Sequence, residues 1–181
     1  MKKTTEQYIK EIFNYIIDNG LENTSIRDMC NNLDISIGSL YYRFKSKEGV
    51  IISVGIYGFN KIIDELFDYA ISTISETKIF FETFLDFVKP RQNELRVVCQ
   101  IASSPIYGNT MRKSLKNKKI QYEKYIERLS NVVRISKEEL TPILYMVISI
   151  ILDYAVCDNY KGSKMQMDTL YEFILKKDLI K

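Results

Sequence analysis

Histidine and tryptophan are absent from the 181-residue chain, cysteine and proline occur three times each, and glycine occurs seven times. Without an imidazole there is no Ser-His-Asp or Cys-His catalytic arrangement, and no His-ligated zinc or non-haem iron site. Cys30, Cys99 and Cys157 are odd in number and widely separated. They lack the close pair that a structural metal site or a redox motif needs, and they point to a reduced, intracellular setting. Catalysis is left to carboxylates or lysines, and no paired-carboxylate arrangement supports it, so the chain is not expected to be an enzyme or to need a cofactor or metal. Long apolar runs are lacking too. The longest, Pro142 to Leu152, is about half of a bilayer span, and Lys10, Glu11 and Asp18 interrupt the segment where a secretory leader would lie. A soluble, cytoplasmic protein that does not engage membranes is expected.

Charge of one sign is scarce as well: 26 Lys and Arg stand against 23 Asp and Glu. Residues 1–50 carry seven basic and seven acidic groups, whereas residues 110–137 carry nine and two. Any case for a nucleic-acid partner therefore has to come from local arrangement rather than from net charge.

What the chain does have is apolar residues recurring at spacings of three and four with few breakers, which predicts an all-α protein. Tyr8, Ile9, Ile12, Phe13, Ile16 and Ile17 form one face of a first helix over residues 5–18, stopped at Asn19-Gly20. Thr24, with Ser25 as its rival, caps a short second helix, and Ser36 caps a third after a turn over Asn31–Asp34. A long fourth helix starts at Ser46-Lys47-Glu48-Gly49 and holds Gly55 and Gly58, which mark close packing or a bend. Further helices are predicted over 76–88, 91–103, 106–133 and 138–160. Ser136-Lys137-Glu138-Glu139 supplies a capping box for the last of these. A loop over Lys161–Lys164 then leads to a final helix.

Three short helices with a tight turn between the second and third match a helix-turn-helix, whose second helix enters the major groove. The predicted recognition helix contains Ser36, Ile37, Gly38, Ser39, Leu40, Tyr41 and Tyr42. Ser36 and Ser39 suit phosphates or base edges, Ile37 suits a thymine methyl, Gly38 permits close approach, and Leu40 faces the core. Tyr42, Arg43, Lys45 and Lys47 have the reach for phosphates, while Thr24, Ser25 and Arg27 hold the opposite backbone edge. No Arg, Asn or Gln lies between Ser36 and Tyr42, so apolar contact and DNA shape are expected to matter in readout.

The stretch TSIRDMCNNLDISIGSLYYRFKSKEGVI, from Thr24 to Ile51, resembles the TetR family of one-component transcriptional regulators. Ile35-Ser36, Gly38, Leu40-Tyr41, Phe44 and Ser46-Lys47-Glu48 fall where that family's motif has its counterparts. The resemblance implies phosphate contacts from Tyr41 and Lys47 and a packing role for Phe44. Arg43 departs from the usual His or Tyr, and Cys30 and Asp34 stand where Ala and Gly are common. By the same resemblance, residues 1–50 form a DNA-binding domain and residues 51–181 a helical body that binds an effector and dimerises. A homodimer acting on a palindromic operator in double-stranded DNA follows, most often as a repressor.

In the body, the nearly all-apolar helix over 138–160 and the apolar final helix suit an intersubunit four-helix bundle, or alternatively a buried centre within one chain. Val147, Ile150, Ile151 and Tyr154, with Leu170, Tyr171 and Ile174, are the predicted dimer contacts. Phe80, Phe84 and Phe87, together with Cys99, Gln100, Ser103, Tyr107 and Met111, mix aromatic bulk with a few polar groups. They read either as core or as the lining of a pocket for a small apolar or aromatic effector. The basic run Arg112, Lys113, Lys116, Lys118, Lys119, Lys124 and Arg128 reads first as a solvated helix face, with an anion or long-range attraction to DNA as the other reading. Asp153 and Asp158 read first as polar contacts at the dimer or with solvent, with recognition of a cation as the other reading.

Overall fold

The computed structural model describes residues 3–116 and 119–176, apart from the side chains of 119–121. The helices in order are α1 (Thr5–Asn19), α2 (Ile26–Asn32), α3 (Ile37–Phe44), α4 (Lys47–Thr73), α5 (Thr77–Val88), α6 (Gln92–Ser103), α7 (Gly108–Lys116), α8 (Lys119–Val133), α9 (Lys137–Cys157) and α10 (Tyr160–Lys176). Short 3-10 turns at Ile74–Glu76 and Lys89–Arg91 flank α5, and no strand occurs among the described residues. The chain forms two compact units, each made of two stretches: Met1–Lys61 with Asn93–Asn117, and Ile62–Gln92 with Lys118–Lys181. The division expected at residue 50 thus runs through the first unit, which also takes in the start of α4, most of α6, and α7.

In the first unit, α1 starts at a capping box. Gln7 N–H donates to Thr4 Oγ1 at 3.2 Å, and Thr4 N–H donates to Gln7 Oε1 at 2.7 Å. The helix ends at Gly20, whose φ of 82° favours glycine and whose N–H reaches Ile16 O. Ile12, Phe13 and Ile16 are buried along the inner face of α1. The glycines of α4 are sites of close packing. A Cβ on Gly58 would lie 2.6 Å from Phe13 and 2.8 Å from Val98, and one on Gly55 would lie 2.8 Å from Ile101 and 2.9 Å from the Met111 sulfur. The half-buried Lys61–Glu94 pair, at 2.6 Å, ties α4 to α6 in the same unit.

Where one helix over 106–133 was expected, Ser104-Pro105 opens a turn instead. The Ser104 hydroxyl accepts from the N–H groups of Ile106 and Tyr107, and Gly108 N–H donates to Ser104 O, so α7 begins only at Gly108. α8 follows as a separate element, and Lys118 of the basic run lies outside the described residues.

In the second unit, α9 packs against α5, α8 and α10. Its start is the predicted capping box: Glu139 N–H donates to Ser136 Oγ at 3.2 Å and Ser136 N–H to Glu139 Oε2 at 3.2 Å. The side-chain and backbone bonds from Ser136 hold the Glu139 carboxyl below its ordinary range. At 21 residues, α9 is long and apolar enough to cross a membrane by length and composition, where the run Pro142–Leu152 alone looked too short. A third of that apolar window is buried in the chain.

Lys161–Lys164 is not a loop. Asp158 takes the left-handed conformation (φ 56°), which Asp tolerates, and the chain turns at once into α10. There Asn159 Oδ1 accepts from Gly162 N–H at 3.0 Å as a helix cap. Ser163 is fully buried, donating to Ile150 O and Asp153 Oδ2, both at 3.3 Å. Asn159 Nδ2 also donates to Asp153, at 2.9 Å, and Gln92 donates to Asp158 at 3.3 Å. The two aspartates thus serve contacts within the chain.

Six of the seven residues predicted at the dimer interface, Val147, Ile150, Ile151, Tyr154, Leu170 and Ile174, are sealed inside this unit, and the seventh, Tyr171, lies against Phe81 at 5.3 Å. A side chain already covered by its own chain has no surface to give a second copy. Apolar residues left uncovered lie on the other faces and include Tyr145, Met146, Ile148, Leu152 and Val156 on α9, and Tyr160, Met165, Phe173 and Leu175 on α10.

Candidate nucleic-acid interface

The short helices of the first unit are set by local capping. Ser25, not Thr24, caps α2: its Oγ accepts from Asp28 N–H at 3.0 Å. Thr24 is buried, at 2% exposure, and donates its hydroxyl to Gly20 O at 2.6 Å. That position serves the turn and sets Thr24 apart from the other predicted DNA contacts. Asp34 adopts φ 51°, and Ile35 N–H closes the turn onto Cys30 O at 2.9 Å. Ser36 then caps α3, accepting from Ser39 N–H at 3.1 Å.

α3 splits cleanly into two faces. Leu40 and Phe44 are buried, while Ser36, Ile37, Gly38, Tyr41 and Tyr42 are exposed, Tyr42 to 77%. A Cβ on Gly38 would meet nothing within 4 Å, so the outer face is open there. The helix stops at Lys45 (φ 68°), whose ammonium donates to Tyr42 O at 3.0 Å and lies 5.4 Å over the Tyr42 ring. Lys47 is exposed in the first turn of α4, next to Gly49, where a Cβ would run into Phe44 O. Arg27 is exposed on α2. The structure therefore brings together an exposed polar and aromatic face on α3 with the Lys45 and Lys47 cations at its end. Such a face suits groove and phosphate contacts.

Arg43 points elsewhere. Its guanidinium lies 4.7 Å over the Tyr8 ring, with Nη1 donating to Ser39 Oγ at 3.2 Å and Nη2 to Lys3 O at 3.3 Å. Ser39 is itself 3.2 Å from Tyr8 Oη.

The residues read as an effector pocket fall into different units. Phe80, Phe84 and Phe87 belong to the second, where they gather round Tyr69, which stacks on Phe87 at 4.0 Å and lies 5.9 Å from Phe84. Arg91 covers Phe87 at 3.8 Å and donates to Glu65 at 2.6 Å. Cys99, Gln100, Ser103, Tyr107 and Met111 belong to the first unit. Met111 is buried there, Ser103 donates to Cys99 O at 2.7 Å, and burial pushes the Cys99 thiol up.

The sequence reading missed a further aromatic group in the second unit. Tyr125 donates to Asp64 at 2.8 Å and stacks on Phe67 at 4.8 Å. Tyr122 beside them is pushed up to about 12 by burial, with the charge of Asp64 and neighbouring Tyr125 adding to the shift. Partners so distant in sequence leave no local signal. Among the described residues, no group of three Cys, Asp or Glu is placed to hold a metal ion.

Residues 9–54 match the family model described as bacterial regulatory proteins, tetR family. No curated protein and no solved structure matches the chain.

Proposed function

We propose, from the match of residues 9–54 to the tetR family model, that the chain is a TetR-family DNA-binding regulator of transcription and acts as a homodimeric repressor, not an enzyme, on an inverted-repeat operator in the cytoplasm. The observation that carries this reading is the open outer face of α3, backed by buried Leu40 and Phe44 and ended by Lys45 and Lys47. Ser36, Ile37 and Gly38 meet the major groove, and Tyr41, Tyr42, Lys45 and Lys47 meet phosphates, with Ser25 and Arg27 on the opposite backbone edge.

The second copy covers the exposed stripe of α9 and α10 formed by Tyr145, Ile148, Leu152, Val156, Met165 and Phe173. Lipid is the poorer occupant, since Asp153 lies within α9 and three of its neighbours already pack on that helix. A small apolar or aromatic effector acts on the body, where the rings of Tyr69, Phe80, Phe84 and Phe87 gather. α4, which directly follows the recognition helix in the chain, carries the change.

Selection from a random duplex library, followed by transcription from a promoter bearing the selected site, tests this. The expected result is a palindrome with half-sites one helical turn apart, and lower transcription when the protein is added. No preference for any palindrome over random duplex would overturn the reading.

A further inference from the structure

Arg43 occupies the end of the recognition helix, where a cation is ordinarily read as a phosphate contact. Its guanidinium nonetheless faces inward. One flat side lies over Tyr8 of α1, Nη1 bonds Ser39 one turn back on α3, and Nη2 bonds the backbone carbonyl of Lys3 in the N-terminal arm. Two of its five N–H donors are taken by these bonds, and Nε is buried without a partner. Lys3 extends the same tie. Its ammonium pairs with Glu11 on α1 at 2.8 Å and donates to Leu33 O, in the turn before α3, at 3.3 Å. Tyr8 Oη completes the arrangement at Ser39. Arm, first helix and recognition helix thus meet around one planar cation, with Lys3 adding the turn, and a planar fork over an aromatic ring is geometry that a lysine cannot copy.

We propose that Arg43 is a positioning residue, one that fixes the recognition helix against α1 and the N-terminal arm, and does not contact DNA phosphate. The proposal rests on the DNA-reading role of α3. Positioning and phosphate contact leave different signatures. A phosphate contact weakens binding to every sequence alike and lowers the slope of log affinity against log salt by about one when removed. A lost positioning contact leaves that slope alone and reduces discrimination between sequences.

The test uses the full chain, a palindromic duplex selected by the wild-type protein, and a random-sequence duplex of equal length. R43A and R43K are both expected to lower the ratio of palindromic to random affinity about tenfold with the salt slope unchanged, while K47A lowers the slope by about one. In DNA-free protein, the stability losses of Y8A and R43A are expected to be non-additive. A slope reduced by about one in R43A, with R43K behaving as wild type, would overturn the proposal, as would additive losses in the Y8A cycle. A wild-type protein that does not prefer the palindrome would instead sink the operator reading, and the Y8A cycle would still judge the contact itself.

Discussion

Tyr122 illustrates what a single half-buried phenol does to stability. An unfolded tyrosine ionises near 10, whereas burial, helped by the charge of Asp64, pushes Tyr122 up to about 12. The folded state therefore holds its proton longer than the unfolded one. The contribution is complete below pH 10 and is lost as pH rises from about 10 to about 12. Denaturant unfolding at about pH 8 and about pH 11 is expected to show a smaller alkaline loss in Y122F than in wild type. Equal losses would remove the assignment. Residues whose roles are local were legible in the sequence: Ser36 and Ser136 as caps, Asn31–Asp34 as a turn, and Leu40 as core, while the packing of Phe44 was implied by the family resemblance. Arg43 and Thr24 were not, because what decides their direction is Tyr8, Lys3 and Gly20, reached through the fold rather than along the helix.

At the level of elements, the junction of α9 and α10 rests on two side chains. Asp158 turns the chain, and Asn159 caps the new helix while donating to Asp153. N159A is expected to cost about 1 kcal/mol, measured by denaturant unfolding, and S136A at the other end of α9 about the same. A change below a few tenths in N159A would show that the cap is not holding α10. The capping box of α9 could be read directly from Ser136 and Glu139. Its buried side could not, because a helix apolar all round gives the 3.6-residue period no phase. That is why Val147, Ile150, Ile151 and Tyr154 were assigned to a partner and are instead covered by their own chain. Lys161–Lys164 misled for a related reason: glycine between two lysines looks like a loop unless buried Ser163 is known to face Ile150.

For the whole molecule, the uncovered stripe on α9 and α10 is what a second copy has to satisfy. L152E places a charge in its middle at a residue 38% exposed within one chain, so the monomer is expected to keep its helical circular dichroism. Sedimentation is expected to show loss of the dimer, and affinity for a palindrome is expected to fall on the order of a hundredfold as two half-sites cease to be held together. A variant that sediments as wild type would place the dimer elsewhere. The first unit has a bearing on exchange of parts. Phe13 of α1 and Val98 of α6 both lie against Gly58, and Gly55 sits against Ile101 and Met111, so the lining of this unit is encoded in two stretches far apart in the gene. A graft cut at residue 50 would carry off the DNA-reading helices but leave behind what they rest on. A new specificity transplanted into this body travels intact only if α6 and α7 move with it.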